Sequence, residues 1–220
     1  MRKATFALCR GLLLVLEATL LALPATAQSR GEAGRFDYYV LSLSWSPQHC
    51  ATRGSGDPRQ CGAGRRYGFI VHGLWPQYEE GGYPAYCRIR ETPSRDTIDR
   101  IIEIMPSENL IRHEWTKHGA CSGLPPSRYF DVTSQAFSRI AMPDFYRRPT
   151  GTLSRSVPQL KAELTAANPK LPASAISVAC SGQYLREVRI CLDKSLRPRA
   201  CSPEVARSTC RGDFIVRPVR

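Results

Sequence analysis

The chain has 220 residues, 31 of them lysine or arginine against 19 aspartate and glutamate, for a formal net charge of +12 with 42% hydrophobic residues. That is room for a single domain with a proper core, and the sequence shows no repeat, linker or low-complexity segment to suggest an array or a tail. The basic balance favours a polyanionic partner, nucleic acid first and acidic polysaccharide or a membrane surface behind it; a basic protein with no such partner stays open.

The first 27 residues, "MRKATFALCRGLLLVLEATLLALPATA", read as a secretory signal peptide. Arg2, Lys3 and Arg10 make a positive start, Gly11 to Leu23 is mostly apolar, and Ala25-Thr26-Ala27 fits a small-residue cleavage site. The apolar run is short for a span of about 20 residues and is broken by Glu17, which favours a signal peptide over an N-terminal anchor or a buried helix; no other stretch looks transmembrane, so no membrane association is expected once it is removed. Without this segment the basic and acidic counts fall by three and by one, to a net charge of +10. The eight remaining cysteines, Cys50, Cys61, Cys87, Cys121, Cys180, Cys191, Cys201 and Cys210, imply four disulfides in an oxidising compartment. None forms a Cys-x-x-Cys pair, which weighs against structural zinc, and spacing alone does not select the pairing.

In chain order, "YYVLSLSW" (38–45) alternates, with Tyr39, Leu41, Leu43 and Trp45 on one side and Ser42 and Ser44 on the other, as in a half-buried strand that Pro47 ends. Cys50 to Cys61 encloses a Gly/Arg/Asp-rich loop that includes no catalytic candidate, His49 beside it reading as a loop residue. "RYGFIVHG" predicts a second strand that stops at Gly73, and "EEGGYP" (79–84) a turn. From Ser94 the period changes, with Ile98, Ile101, Ile102 and Met105 on one helical face up to Pro106. Ser107 can cap a helix through "SENLIRHEWTKHG" that Gly119 closes. A third helix is expected over Ser127 to Ala141, with Phe130, Ala136, Phe137 and Ile140 inward. A fourth runs from near Ser156 to Asn168-Pro169. "AISVAC", "REVRICL" and "FIV" return to strands. Strands at both ends with helices between predict an α+β fold: one domain (28–220) with a central antiparallel sheet packed with several helices and stabilised by disulfides.

Two passages hold three of the four histidines. "FIVHGLWPQ" (69–77) is a core-like strand that ends on His72. In "HEWTKHGACS" (113–122), helical spacing makes neighbours of Glu114 and His118 and of His113 and Lys117, one polar surface with Trp115 turned to the core. The two histidines are five apart, about 140° around a helix, so the four-apart zinc protease motif is excluded. Each passage alone could be bland, a solvated helix face or a satisfied core histidine. Together they suit metal-free phosphodiester cleavage in RNA. One imidazole takes the proton of the ribose 2′-OH, which attacks phosphorus; the other protonates the departing 5′ oxygen. A nearby lysine stabilises the charge gathering on the phosphoryl oxygens.

"HGLWPQ" and "HEWTKHG" resemble the two active-site segments of the ribonuclease T2 family, the secreted acid ribonucleases. The chain looks most similar to bacterial periplasmic and extracellular members, from about Phe36 to near Phe214. The resemblance implies that His72 and His118 are the acid–base pair and that Glu114 and Lys117 steady the pentavalent phosphorus. It implies that His113 helps hold the phosphate and that Trp75 stacks on the base 5′ of the scissile bond, with Gly73 turning the chain. Gln77 stands where other members place an acidic residue, which leaves base preference open. The resemblance also implies the disulfides Cys50–Cys61, Cys87–Cys121, Cys180–Cys210 and Cys191–Cys201.

The expectation is a secreted, monomeric endoribonuclease, periplasmic or extracellular, that needs no metal or other cofactor. It cleaves single-stranded RNA through a 2′,3′-cyclic phosphate to 3′-phosphate ends, since exposed bases can stack where a duplex hides them. The rivals are an inactive RNA-binding protein on the same scaffold, a metal-dependent phosphodiesterase, and a cysteine-rich structural protein. The residues alone do not say which histidine is the base.

Overall fold

The computed structural model describes residues 31–53, 57–147 and 149–219, so the expected signal peptide lies outside the described residues. Strand β1 (Tyr38–Trp45) leads directly into helix α1 (Ser46–Arg53), and the short helix α2 (Pro58–Cys61) follows. The segment expected as a Cys50–Cys61 loop is therefore flanked by helix, and His49 sits in α1. Pro47 both stops the strand and fills an early helical position, where its missing N–H is no loss.

Strand β2 (Phe69–Gln77) does not stop at Gly73 but runs four residues further. Helix α3 (Arg95–Ile101) is capped by the Ser94 side chain, and α4 (Glu108–Lys117) by Ser107, which accepts from Leu110 N at 3.4 Å. Helix α5 (Pro126–Ser138) ends three residues before its expected limit, and Phe137 near its end is only partly buried. The short α6 (Asp144–Arg147) and β3 (Leu153–Arg155) precede α7 (Val157–Ala167). Helix α7 opens on a capping box between Ser156 and Gln159. Then come β4 (Ile176–Ser181), β5 (Tyr184–Leu192), the short α8 (Pro203–Ala206) and β6 (Phe214–Val216).

The six strands form one sheet in the order β2-β1-β5-β6-β3, with β4 also paired to β5. The fold is α+β, as expected, and the pairing is antiparallel except at one point: β6 meets β5 in parallel, Tyr184 beside Ile215. Four disulfides staple the domain, Cys50–Cys61, Cys87–Cys121, Cys180–Cys210 and Cys191–Cys201. The second of these ties the chain ahead of α3 to the turn that follows α4.

Strand β1 is not half-buried. Tyr39, Leu41, Leu43 and Trp45 join the main core with Ile111, Trp115 and Tyr129, while Tyr38 and Val40 form a smaller cluster with Cys191 and Val205 on the opposite face. Ser42, expected on a wet face, is fully buried. It lies between Gly73 of β2 and Arg189 of β5, so the polar side of β1 forms part of a floor rather than a surface.

Candidate active site

The pairing of β1 with β2 slips by one residue between Ser42 and Leu43: Ser42 faces Gly73 and Leu43 faces Val71, which leaves His72 without a partner. His72 is the extra residue of a β-bulge. Residues three apart on a regular strand point to opposite faces, and the bulge reverses that. Val71 and Leu74 both enter the main core, while His72 and Trp75 both come out on the other side of the sheet. Gly73 does not turn the chain there. A Cβ at Gly73 would collide with Glu114 Oε2 and Trp75 Nε1, so glycine is what allows α4 to approach the strand. The strand is held from behind by Tyr129, whose hydroxyl donates to Leu74 O at 2.8 Å and accepts from Leu74 N at 3.3 Å.

His72, Trp75, Gln77, His113, Glu114, Lys117 and His118 all line one cleft of about 340 Å³. The Trp75 indole stands between the two histidines, its ring centroid 5.3 Å from that of His72 and 5.2 Å from that of His118. Its Nε1 donates to Glu114 Oε2 at 2.6 Å, and Glu114 Oε1 lies 3.4 Å from His72 Nε2. Glu114 is 2% exposed and thus belongs to the floor of the cleft rather than to a solvated helix face. His118 is not in the helix at all. It is the residue that closes α4, with φ −120° and ψ −50°, and its tie to Glu114 is through backbone, His118 N to Glu114 O at 2.9 Å. The imidazole that the Glu114 side chain meets is that of His72. His113 is exposed on the rim, and Gln77 is buried with its amide donating to Pro76 O.

Sequence reasoning missed Glu187, Arg189, Tyr83 and Glu204. His72 Nδ1 lies 3.2 Å from Glu187 Oε2, and Arg189 Nε donates to the other oxygen of the same carboxylate. Arg189 also sits over the Trp75 ring, 5.5 Å from its centroid. The Tyr83 ring lies 5.2 Å from that of His118, with Lys117 Nζ 5.8 Å from the Tyr83 centroid. The signal for Glu187 was an acid placed within the predicted strand "REVRICL", since a carboxylate buried in a sheet needs a partner.

The environments drive the titrating groups apart. Burial works against a charged His72, but the Glu187 hydrogen bond and the carboxylates of Glu114 and Glu187 outweigh it, so His72 sits above the ordinary imidazole value. Burial also opposes a charged Glu187, but His72 and Arg189 hold it down at about 2. With Glu187 ionised, His72 Nδ1 carries a proton and donates, leaving Nε2 toward Glu114 and the cleft. His118 goes the other way, down to about 3, from burial first and then from Lys117, His72 and His113 as neighbouring cations. Its Nδ1 is buried with no hydrogen-bond partner among the described residues, so no protein acceptor steadies an imidazolium there. Glu114 is raised, burial outweighing the help of His72 and Trp75. One histidine is thus disposed to hold a proton and the other to stay neutral.

The family model described as the ribonuclease T2 family matches residues 36–201. A ribonuclease of Aeromonas hydrophila is 38% identical over 221 residues, covering 89% of this chain and 92% of its own. A probable ribonuclease of Haemophilus influenzae is 31% identical, covering 75% of this chain and 61% of the relative. Among solved structures, the RNase-related protein from Calystegia sepium shares the fold with a TM-score of 0.67 at 22% identity, covering 84% of this chain and 98% of that one. A mutant of RNase MC1 in complex with 5′-UMP shares it with a TM-score of 0.63 at 24% identity, covering 81% and 97%. A cleft lined by the histidines of both passages, on a chain that matches along most of its length, leads to one conclusion: the protein belongs to the ribonuclease T2 family and is an endoribonuclease.

Proposed function

We propose that the protein cleaves single-stranded RNA without a metal, by transphosphorylation through a 2′,3′-cyclic phosphate to 3′-phosphate ends, with His118 as base and His72 as acid in the first step. The observation that carries the assignment is the electrostatic split across Trp75: two carboxylates around His72, and burial beside a lysine for His118. Neutral His118 takes the proton of the 2′-OH as that oxygen bonds to phosphorus. Protonated His72 gives its proton to the 5′ oxygen as the P–O bond breaks. In the second step the roles reverse: His72 draws a proton from water, water opens the cyclic phosphate, and His118 returns a proton to the 2′ oxygen. Lys117, on the rim, offers positive charge to the phosphoryl oxygens, His113 beside it helps hold the phosphate, and Glu114 fixes the acid and the indole together. Trp75, with Gln77 beside it, is the wall against which a base would stack. The net positive charge draws the RNA backbone and makes binding salt-sensitive.

We infer in addition that residues 1–27 are a signal peptide and that the remaining chain works as a monomer in the periplasm or outside the cell. Four disulfides support an oxidising compartment. Among the described residues no helix is long and apolar enough to cross a membrane.

The test is single-stranded RNA with purified, oxidised protein, with and without EDTA, beside His72→Ala and His118→Ala. Cyclic-phosphate ends that persist in EDTA and disappear in both variants are expected. Activity lost in EDTA would point to the metal-dependent rival, and RNA binding without turnover to the inactive scaffold.

A further inference from the structure

Part of the wall of the cleft is built by the C-terminal part of the chain, and side-chain bonds tie it to the turn that carries Tyr83. Glu204 and Val205 of α8 line the cleft, and Glu204 lies beyond the segment that matches the family. Glu204 Oε2 accepts from Gly82 N at 2.6 Å. Five residues before it, the Arg199 guanidinium grips both oxygens of Glu79, at 2.8 and 2.6 Å. Glu79 and Gly82 belong to the turn 78–83, which is closed on itself by Tyr78 N to Gly82 O and has left-handed backbone at Gly81 and Gly82. That turn ends on Tyr83, whose ring packs on His118 and lies under Lys117.

Outside itself and the C-terminal segment the turn has, among the described residues, one further hydrogen bond, Glu79 N donating to Asp37 Oδ2 at 2.8 Å at its near end. It is exposed over Glu79 and Glu80, and Tyr83 remains 41% exposed. Its two ties to the C-terminal segment are side-chain bonds separated by more than a hundred residues of sequence. The C-terminal segment is firmly placed. Cys201 is bonded to Cys191 in the sheet, Tyr38 donates to Ser202 at 2.8 Å in a buried contact, Arg199 covers the Tyr38 ring, and Val205 is in the smaller core. A well-anchored segment thus reaches across to hold the turn at two points, and at Gly82, next to Tyr83, its bond is the one side-chain tie among the described residues.

We propose that Glu204 and Arg199 are positioning residues of the cleft: they latch the 78–83 turn so that Tyr83 stays against His118 and the substrate side of the cleft is formed before RNA arrives. This rests on the ribonuclease reading of the cleft. Pre-forming a binding wall lowers the ordering cost that substrate binding would otherwise meet, so the latch acts on KM more than on kcat.

The experiment uses the full oxidised chain with Glu204→Ala, Glu204→Gln and Tyr83→Ala, measuring amide hydrogen exchange over residues 78–86 and steady-state cleavage of single-stranded RNA. Glu204→Ala is expected to speed exchange in the turn and raise KM about five- to tenfold, with kcat changed much less. Glu204→Gln keeps an acceptor oxygen for Gly82 N and restores most of both. Adding Glu204→Ala to Tyr83→Ala should cost no further KM, because the latch acts through that ring. Unchanged exchange in Glu204→Ala overturns the latch. Faster exchange with an unchanged KM overturns its role in substrate binding, as does full additivity with Tyr83→Ala. The exchange measurement needs no turnover, so a wild-type protein that failed to cut RNA would sink the ribonuclease reading while the latch was still judged separately.

Discussion

The Trp75 indole N–H and the buried Glu114 carboxylate meet at 2.6 Å, and that single bond joins the strand carrying His72 to the helix that ends on His118. The strand contributes its histidine through a bulge, and the second histidine is the residue that closes the helix. Neither element alone fixes the distance between them. The indole fills that distance and donates to the carboxylate that also faces His72, so the pair acts as the spacer of the site.

Gly73→Ala tests the spacer without replacing any polar side chain of the site. A methyl group there meets both partners of the Trp75–Glu114 bond, and they must part. The expected result is a fall in kcat of about a hundredfold, with native-like circular dichroism, because small displacements of positioned groups are costly to rate. A variant with kcat near wild type would show that the close approach is not needed for catalysis.

Glu187→Gln tests the tuning of His72. The amide oxygen can still accept from Nδ1, but the charge that favours imidazolium is gone. With His72 as the proposed acid, which must be protonated, the falling alkaline limb of kcat/KM should move to lower pH, and kcat/KM near neutrality should drop about tenfold. An alkaline limb that stays where it is would remove Glu187 from the account.

Stability should fall on acidification, with a contribution from His118. Between 6.5, its ordinary value, and about 3, the unfolded chain binds a proton at His118 that the folded chain does not, so folding weakens as pH falls through this window. Glu187, held at about 2 against an ordinary 4.5, adds the same sign further down. His72 has the opposite sign: its raised value adds stability below 6.5 that is lost as pH rises through the folded value. Glu114, raised by burial, also opposes the trend. Denaturant titrations at pH 7 and pH 4 should therefore show a smaller acid loss for His118→Asn than for wild type. Equal losses in the two proteins would count against a neutral, buried His118.

Tyr129→Phe separates scaffold from chemistry. The lost hydroxyl leaves Leu74 N and O without their buried partner, at a cost of about 1–2 kcal/mol. A lower thermal midpoint with kcat within about threefold of wild type at 25 °C is expected. A large loss of kcat at unchanged midpoint would mean that Tyr129 acts on the site rather than on the strand behind it.

The sequence by itself determined the parts of this site that depend on near neighbours. Ser107 and Ser156 mark helix starts because capping is a contact of three residues, and the alternation of "YYVLSLSW" marks β1 from end to end. The two histidine passages named His72, Glu114, Lys117 and His118 because the chemistry needs those groups close together, and all four line one cleft. What the tertiary structure decided depends on strand register and long-range pairing. The bulge at His72 exists only relative to β1, so a strand read alone ended at Gly73 and the glycine's contact with Glu114 was invisible. Ser42 seemed to face water because alternation reports which side is polar, not what covers it. Glu187 is 115 residues from the histidine it orients, and Glu204 is 122 from the amide it holds. Pairs so distant leave no local pattern in the chain; they appear only when the sheet sets β5 beside β1 and the Cys191–Cys201 bridge sets α8 against the cleft.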